Sequence, residues 1–183
     1  MDVRDTASQG LRPEARSPKR VVVAIALGSN LGDRDAHLAY AVSRLKQSLQ
    51  AVRVSHVIET DPVAVGPQPK FLNAGIVGLF GGTPRELLDL LLDIEHERGR
   101  ERPFPGAART LDVDLVLFGD RVVTEPGLQV PHPRFRERSF VLQPLAEIAP
   151  DLVDPVTGRT VAELLHRLGK DGRDGKDGRR WGR

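Results

Sequence analysis

A chain of 183 residues without cysteine is long enough for one domain with a sizeable core, and it excludes a disulfide scaffold and a thiolate metal site. The first 20 residues carry a net charge of +2 and residues 169–183 a net +3, against a total of +2, so residues 21–168 are net −3 and a basic nucleic-acid-binding face is not expected. The longest unbroken apolar run, VVVAIAL at 21–27, is too short to span a membrane, and the first 20 residues lack the apolar stretch of a signal peptide, so a cytoplasmic protein is expected.

Residues 1–20 are polar and aperiodic and read as a disordered leader. Residues 21–27 read as a buried strand ending in a Gly28-Ser29-Asn30 turn or helix cap. Asp33 can cap a helix to about Gln50, with Leu38, Ala41, Val42, Leu45 and Leu49 at helical spacing. Val52–Thr60 and Phe71–Phe80 read as strands joined by a loop holding Gly66, Pro67 and Pro69. Thr83 caps a second helix with Pro84 at its first position, and Gly99 stops it. Leu111–Phe118 is the next strand, turning at Gly119-Asp120, and Val122-Val123 begins a short one. Ser139–Ile148 and Thr160–Leu168 read as helices, the second opened by a Thr160/Glu163 capping box. Residues 169–183 repeat Gly, Asp and a basic residue and read as a flexible tail. The core order β-α-β-β-α-β predicts a ferredoxin-like α+β sheet with helices on one face and a helical C-terminal extension, in one domain over 21–168.

The stretch RTLDVDLVLFGD, residues 109–120, poses a chemical question. In a strand Asp112 and Asp114 point to one face, about 7 Å apart at 3.3 Å per residue, with Val116 and Phe118 beyond them. Leu111, Val113, Leu115 and Leu117 then enter the core. Two neighbouring carboxylates stay ionised together only with cations between them. Magnesium suits such a pair, because it takes one or two carboxylates and leaves its other positions to water and phosphate. Arg100, Arg102 and Arg109 precede the acids, as a polyphosphate site would require. On spacing alone an exposed strand end and an ordinary charged helix end explain the same residues. GSNLGD lacks the Lys-Ser/Thr of a P-loop and the spacing of a dinucleotide fold.

Taken in order, ALGSNLGDR (26–34), ETDPVAVGPQPKFLNA (59–74), IEHERGRER (94–102), RTLDVDLVLFGD (109–120) and VPHPRFRERSFVLQPLAEIAP (130–150) resemble the 6-hydroxymethyl-7,8-dihydropterin pyrophosphokinases of folate biosynthesis. The resemblance covers roughly residues 21–168 and implies a ferredoxin-like fold. It implies transfer of the β,γ-diphosphate of ATP to the hydroxymethyl oxygen of a reduced pterin, leaving AMP. It places two magnesium ions on Asp112 and Asp114 and catalytic arginines at Arg100, Arg102 and Arg109. It assigns ATP contacts to those arginines and to Glu95, Leu115, His132 and Arg138. It assigns the pterin to Gly28, Thr60, Asp61, Val63, Phe71, Asn73 and Phe140, where two aromatic plates and one amide suit a flat heterocycle with a polar edge. Core packing is the alternative for Phe71 and Phe140. A monomer is implied, with no nucleic-acid or membrane partner.

The chain departs from the family pattern in two places. Family members carry Trp-Gly-Pro before the arginine of the acid strand; here the loop is PFPGAA, one residue shorter, with Phe104 its only aromatic. Pro133 replaces a tyrosine after the histidine. Two other functions compete. An RNA-binding ferredoxin-like module wants exposed aromatics and positive charge, and aromatics are only 4% of this net-negative core's chain. A magnesium-dependent phosphohydrolase would use the acid pair but leaves Phe71, Asn73 and Phe140 unexplained.

Overall fold

The first apolar run forms the central strand β1 (Val21–Ser29), buried from Val23 to its end because a partner strand lies on each side and helices cover both faces. In this computed structural model the described residues are 20–62, 68–100 and 107–170. After β1 come α1 (Arg34–Ser48), β2 (Gln50–Val54), β3 (Ile58–Thr60), β4 (Phe71–Phe80), α2 (Pro84–Glu97) and β5 (Asp112–Phe118). A hairpin β6 (Val123–Glu125) and β7 (Leu128–Val130) follows, then a 3-10 turn (Phe135–Glu137), α3 (Ser139–Ile148) and α4 (Val161–Lys170). The main sheet runs β2-β4-β1-β5, with β3 pairing β4 beyond β2; every pairing is antiparallel. This is the α+β order read from the sequence.

Alternation along β1 divides the core in two. Val23, Ile25 and Leu27 face α1 and α2, meeting Leu38 and Leu45 on one helix and Leu87, Leu91 and Ile94 on the other. Ala24 and Ala26 face the opposite way, onto Val141, Leu142 and Leu145 of α3 and Val161 and Leu164 of α4. The expectation of helices on one face is therefore corrected: the C-terminal helices close the second face. They do so over only part of it. α3 rests where β4 has Gly75, whose absent Cβ would lie 3.1–3.2 Å from Leu145 and Pro144. Toward the Ser29 end of β1 that face carries Gly28, Phe71, Asn73 and Asp112 instead.

Other expectations need correction. The strand foreseen over Val52–Thr60 starts earlier and breaks at Ser55, whose side-chain oxygen accepts the Gly75 N–H (2.9 Å) while its own N–H donates to Gly75 O (3.0 Å). The alternation foreseen along β5 holds only to Leu115. Ile25 pairs with Leu115 and Ala24 with Leu117, so Val116 is a bulge residue. Beyond a bulge the faces exchange. Phe118 thus joins the α1/α2 core, and Leu117 joins the α3/α4 core. Ser29 and Asn30 are not a surface turn: both are buried, and Asp33 is the residue that caps α1, accepting the Ala36 N–H. Helix α4 continues through Lys170, past the foreseen start of the tail. Residues 1–19 and 171–183 lie outside the described residues.

Candidate active site

Four elements converge on the start of β5. Glu95, near the end of α2, is 3% exposed and accepts the Val113 N–H at 2.7 Å, so it caps the open edge of the strand between the two aspartates. It also pairs with Arg100, which reaches across to Asp112 Oδ1 (2.5 Å). Arg109 donates from Nη1 to Asp112 Oδ2 at 2.7 Å. The α2 terminus makes this possible: Gly99 takes a φ of +66°, a conformation glycine adopts without Cβ strain, and turns the chain so that Arg100 enters the site.

Asp114 faces a second pair of basic groups. Arg138 Nη1 lies 3.5 Å from Asp114 Oδ2 and His132 Nε2 lies 3.9 Å from it. Burial pushes the Asp114 carboxyl up to about 6, the charge of Asp112 adds to the rise, and Arg138, Arg100 and Arg109 oppose it. Burial lowers His132 to about 4, helped by Arg138, so its ring is neutral at pH 7. Its Nδ1 accepts the Arg134 N–H (3.2 Å), which leaves the ring proton on Nε2, directed at Asp114. Burial also lowers the Arg138 guanidinium, with Asp114 pulling it back. A cleft of about 330 Å³ opens beside these groups along the free edge of β5, between α2 and the β6–β7 hairpin. Leu88, Leu92, Leu115 and Leu128 give it apolar walls, and Glu95, Asp114 and His132 give it a polar end. Leu115 lines the cleft while also belonging to the α1/α2 core.

A second cluster sits beside the first on the same face. Gly28 pairs with Asn73 on one side and with Asp112 on the other. A Cβ on Gly28 would meet Asn73 Oδ1 at 3.3 Å, Asp112 Cβ at 3.8 Å and Phe71 Cδ1 at 3.8 Å. Asn73 is 4% exposed and donates from Nδ2 to Thr60 Oγ1 (2.8 Å). Phe71 is half-buried under the Arg109 guanidinium, 5.7 Å from its ring centroid. Phe140 is half-buried at the start of α3, with Arg138 5.6 Å from its ring centre. Asp61 stays exposed at the rim, 3.7 Å from Lys70. Arg102, Val63 and Phe104 fall outside the described residues.

Sequence reasoning missed what joins the two clusters. Asn30, 1% exposed, accepts the Arg109 N–H on Oδ1 (2.8 Å), and its own N–H donates to Arg109 O (3.2 Å). Its Nδ2 donates to Gln68 Oε1 and Pro69 O, both at 3.2 Å. Ser29 donates to Thr110 O at 2.5 Å. The two residues fasten the segment that carries Arg109 and the one that leads into Phe71 to the end of β1. The only sequence signal was two polar residues one glycine after a run of seven apolar ones.

The donor set fits a magnesium-bound polyphosphate. Among the described residues no group of three or more His, Cys, Asp or Glu could hold a metal by itself. The acid pair alone is an incomplete cage, which magnesium tolerates when phosphate oxygens and water complete it. Arg109 Nε and Thr110 Oγ1 are buried without a hydrogen-bond partner among the described residues, leaving donors for an incoming anion.

Comparison with known proteins points one way. Residues 24–150 match the family model described as 7,8-dihydro-6-hydroxymethylpterin-pyrophosphokinase (HPPK). The chain is 46% identical over 126 residues to the 2-amino-4-hydroxy-6-hydroxymethyldihydropteridine pyrophosphokinase of Bacillus subtilis, covering 68% of this chain and 75% of that protein. It is 41% identical over 146 residues to the protein of the same name from Pseudomonas aeruginosa, covering 78% and 89%. Among solved structures it resembles an HPPK-DHPS chain of Plasmodium falciparum at a TM-score of 0.68 and 14% identity, covering 89% of this chain and 46% of that one; at that identity the likeness shows the fold.

Proposed function

Since this chain belongs to the 7,8-dihydro-6-hydroxymethylpterin-pyrophosphokinase family and is an ATP-dependent diphosphotransferase of folate biosynthesis, we propose that the two adjoining clusters divide its work. Asp112 and Asp114 hold magnesium against the triphosphate. The cleft beside His132 takes the rest of the nucleotide, and the Gly28–Phe71–Asn73 cluster takes the pterin. The observation that carries this is the register Asn73↔Gly28↔Asp112, which sets an amide suited to a pterin edge two strands from a metal-binding acid.

In this reading the hydroxymethyl oxygen attacks the β-phosphorus, the bond from that phosphorus to the α,β-bridging oxygen breaks, AMP leaves and the hydroxyl proton is lost. Bound magnesium neutralises phosphate charge. The protein's own part is placement and further neutralisation, which is most of what phosphoryl transfer needs. Arg100 and Arg109 are already pre-set against Asp112 and are positioned to trade that contact for phosphate oxygens. Arg138 and the Nε2–H of neutral His132 are further donors, and Arg102 is assigned with them. Asn73 offers Oδ1 beside Gly28 to a ring N–H, while Thr60 fixes its Nδ2. Phe71 and Phe140 provide stacking faces, with Thr60 and Asp61 along the rim, and Val63 is assigned with them. The finer form of the reading is two magnesium ions, which Asp112 and Asp114 would hold and which would neutralise triphosphate charge. The chain then acts as a cytoplasmic monomer, where ATP is plentiful, with ATP and 6-hydroxymethyl-7,8-dihydropterin as its substrates and no nucleic-acid or membrane partner. Among the described residues no helix is long and apolar enough to cross a membrane.

Asp112→Asn and Asp114→Asn test the division. Each is expected to lower kcat roughly 10²-fold or more, the scale of losing one electrostatic contact to a transition state. Pterin affinity should hold and both variants should fold, Asp112→Asn with the lower melting temperature because it removes the carboxylate that Arg100 and Arg109 contact. Full turnover in either variant would remove that carboxylate from the reaction.

A further inference from the structure

Residues 151–170 lie beyond the matched family segment and place no side chain among the site residues described above. Yet they contain the least exposed carboxylate among the described residues, Asp154, which is 0% exposed. We propose that Asp154 is a positioning residue for the nucleotide side of the site, acting through Arg136.

Asp154 organises its own loop first. Its N–H donates to Arg159 O (2.9 Å) and its carbonyl accepts the Gly158 N–H (2.9 Å). Its Oδ1 accepts the Val156 N–H (3.2 Å) and its Oδ2 the Thr157 hydroxyl (2.5 Å). Those contacts would satisfy a local turn. The carboxylate goes further: both oxygens also accept Arg136, Nε to Oδ2 and Nη2 to Oδ1, each at 2.7 Å. Burial works to raise this carboxyl, and the bonds from Arg136, Thr157 and Val156 together outweigh it and hold it below its ordinary value. The Arg136 guanidinium lies 4.7 Å from the ring centroid of Phe135, itself fully buried in the α3/α4 core.

Arg136 is the middle residue of the 3-10 turn that links His132 to Arg138. That turn is weakly held by its own backbone. Phe135 N–H to His132 O, Glu137 N–H to Arg134 O and Arg138 N–H to Phe135 O span 3.2–3.3 Å. A three-residue 3-10 segment has poor hydrogen-bond geometry and needs an outside anchor. The planar two-point Arg136–Asp154 contact fixes direction as well as distance, which a single-point contact would not. His132 and Arg138, at the two ends of the turn, both face Asp114. The clamp therefore sets two donors that the proposed nucleotide site uses, and the inference rests on that reading.

The test is calorimetric titration of the full chain with magnesium and α,β-methylene-ATP, and separately with 6-hydroxymethyl-7,8-dihydropterin. Arg136→Lys keeps the charge and loses the two-point contact; Asp154→Asn keeps the shape and loses the charge. Each should weaken nucleotide binding about tenfold, the order of one impaired hydrogen bond to a charged group. Pterin affinity should stay within about twofold, and the double variant should bind nucleotide no worse than the weaker single one. A folded Arg136→Lys protein with unchanged nucleotide affinity would overturn the inference, as would an equal loss for both ligands. Arg138→Ala separates the two ideas. If it binds nucleotide normally, the site reading fails and takes the clamp with it; if it loses affinity while Arg136→Lys keeps it, the clamp alone fails.

Discussion

Asp112 and Asp114 are two residues apart and share a face, but they differ in surroundings. Asp112 is gripped by two guanidiniums at 2.5 and 2.7 Å. Among the described residues Asp114 has only looser contacts, at 3.5 and 3.9 Å, and its carboxyl is raised to about 6. Burial, and then the charge of Asp112, account for that rise. A cation arriving at this pair relieves the repulsion that raises Asp114. On the pterin side Asn73 is the test. Asn73→Ala removes the amide that faces Gly28 and leaves the Thr60 hydroxyl without its partner. Pterin affinity should fall about tenfold or more, in line with roughly 1–3 kcal/mol for an unmade buried hydrogen bond, while nucleotide affinity holds. Equal loss of both ligands in paired titrations would argue against the assignment. That Asp112 and Asp114 share one strand face could be read from their two-residue spacing, although spacing alone also fitted an exposed strand end. Asn30 could not, since its partners Arg109 and Gln68 are 79 and 38 residues away and only the fold brings them to it.

Among the elements, α2 shows how local chemistry serves the site. Thr83 accepts the Glu86 N–H while Glu86 Oε2 accepts the Thr83 N–H, and Pro84 fills the first position. This starts the helix in a register that brings Glu95 under β5 and Arg100 to Asp112. Thr83→Ala should cost about 1 kcal/mol in a denaturant melt. The Thr83 backbone N–H, and then its hydroxyl, holds the Glu86 carboxyl below its usual value. A depressed carboxyl contributes stability that is present above its unfolded pKa and lost as pH falls through the folded one. The gap in melting temperature between the wild type and Glu86→Gln should therefore be open at pH 7 and close below about pH 4. A gap independent of pH would remove the charge from the capping box. Elements with periodic apolar residues and caps, such as α1, α2 and α4, could be read from sequence. The break at Ser55 and the bulge at Val116 could not, because both arise from pairing with Gly75 and β1 and leave the local apolar pattern unchanged.

For the whole molecule, the ordering of strands puts the chemistry where the cover is incomplete. Five strands, in the order β2-β4-β1-β5 with β3 also pairing β4, bring residues 28, 73 and 112 side by side from three distant parts of the chain. Helices α1 and α2 seal one face, while α3 and α4 seal only part of the other, and the site occupies the remainder. The element order suggested this architecture, since β-α-β-β-α-β has few compact solutions. The second helical layer was not evident, because amphipathic helices such as α3 and α4 do not reveal which sheet face they cover. The most direct measurement incubates the chain with ATP, magnesium and 6-hydroxymethyl-7,8-dihydropterin and identifies the nucleotide product, with EDTA and pterin-free controls. The account predicts AMP, formed only when both pterin and magnesium are present. ADP, or nucleotide turnover that persists without pterin, would contradict it.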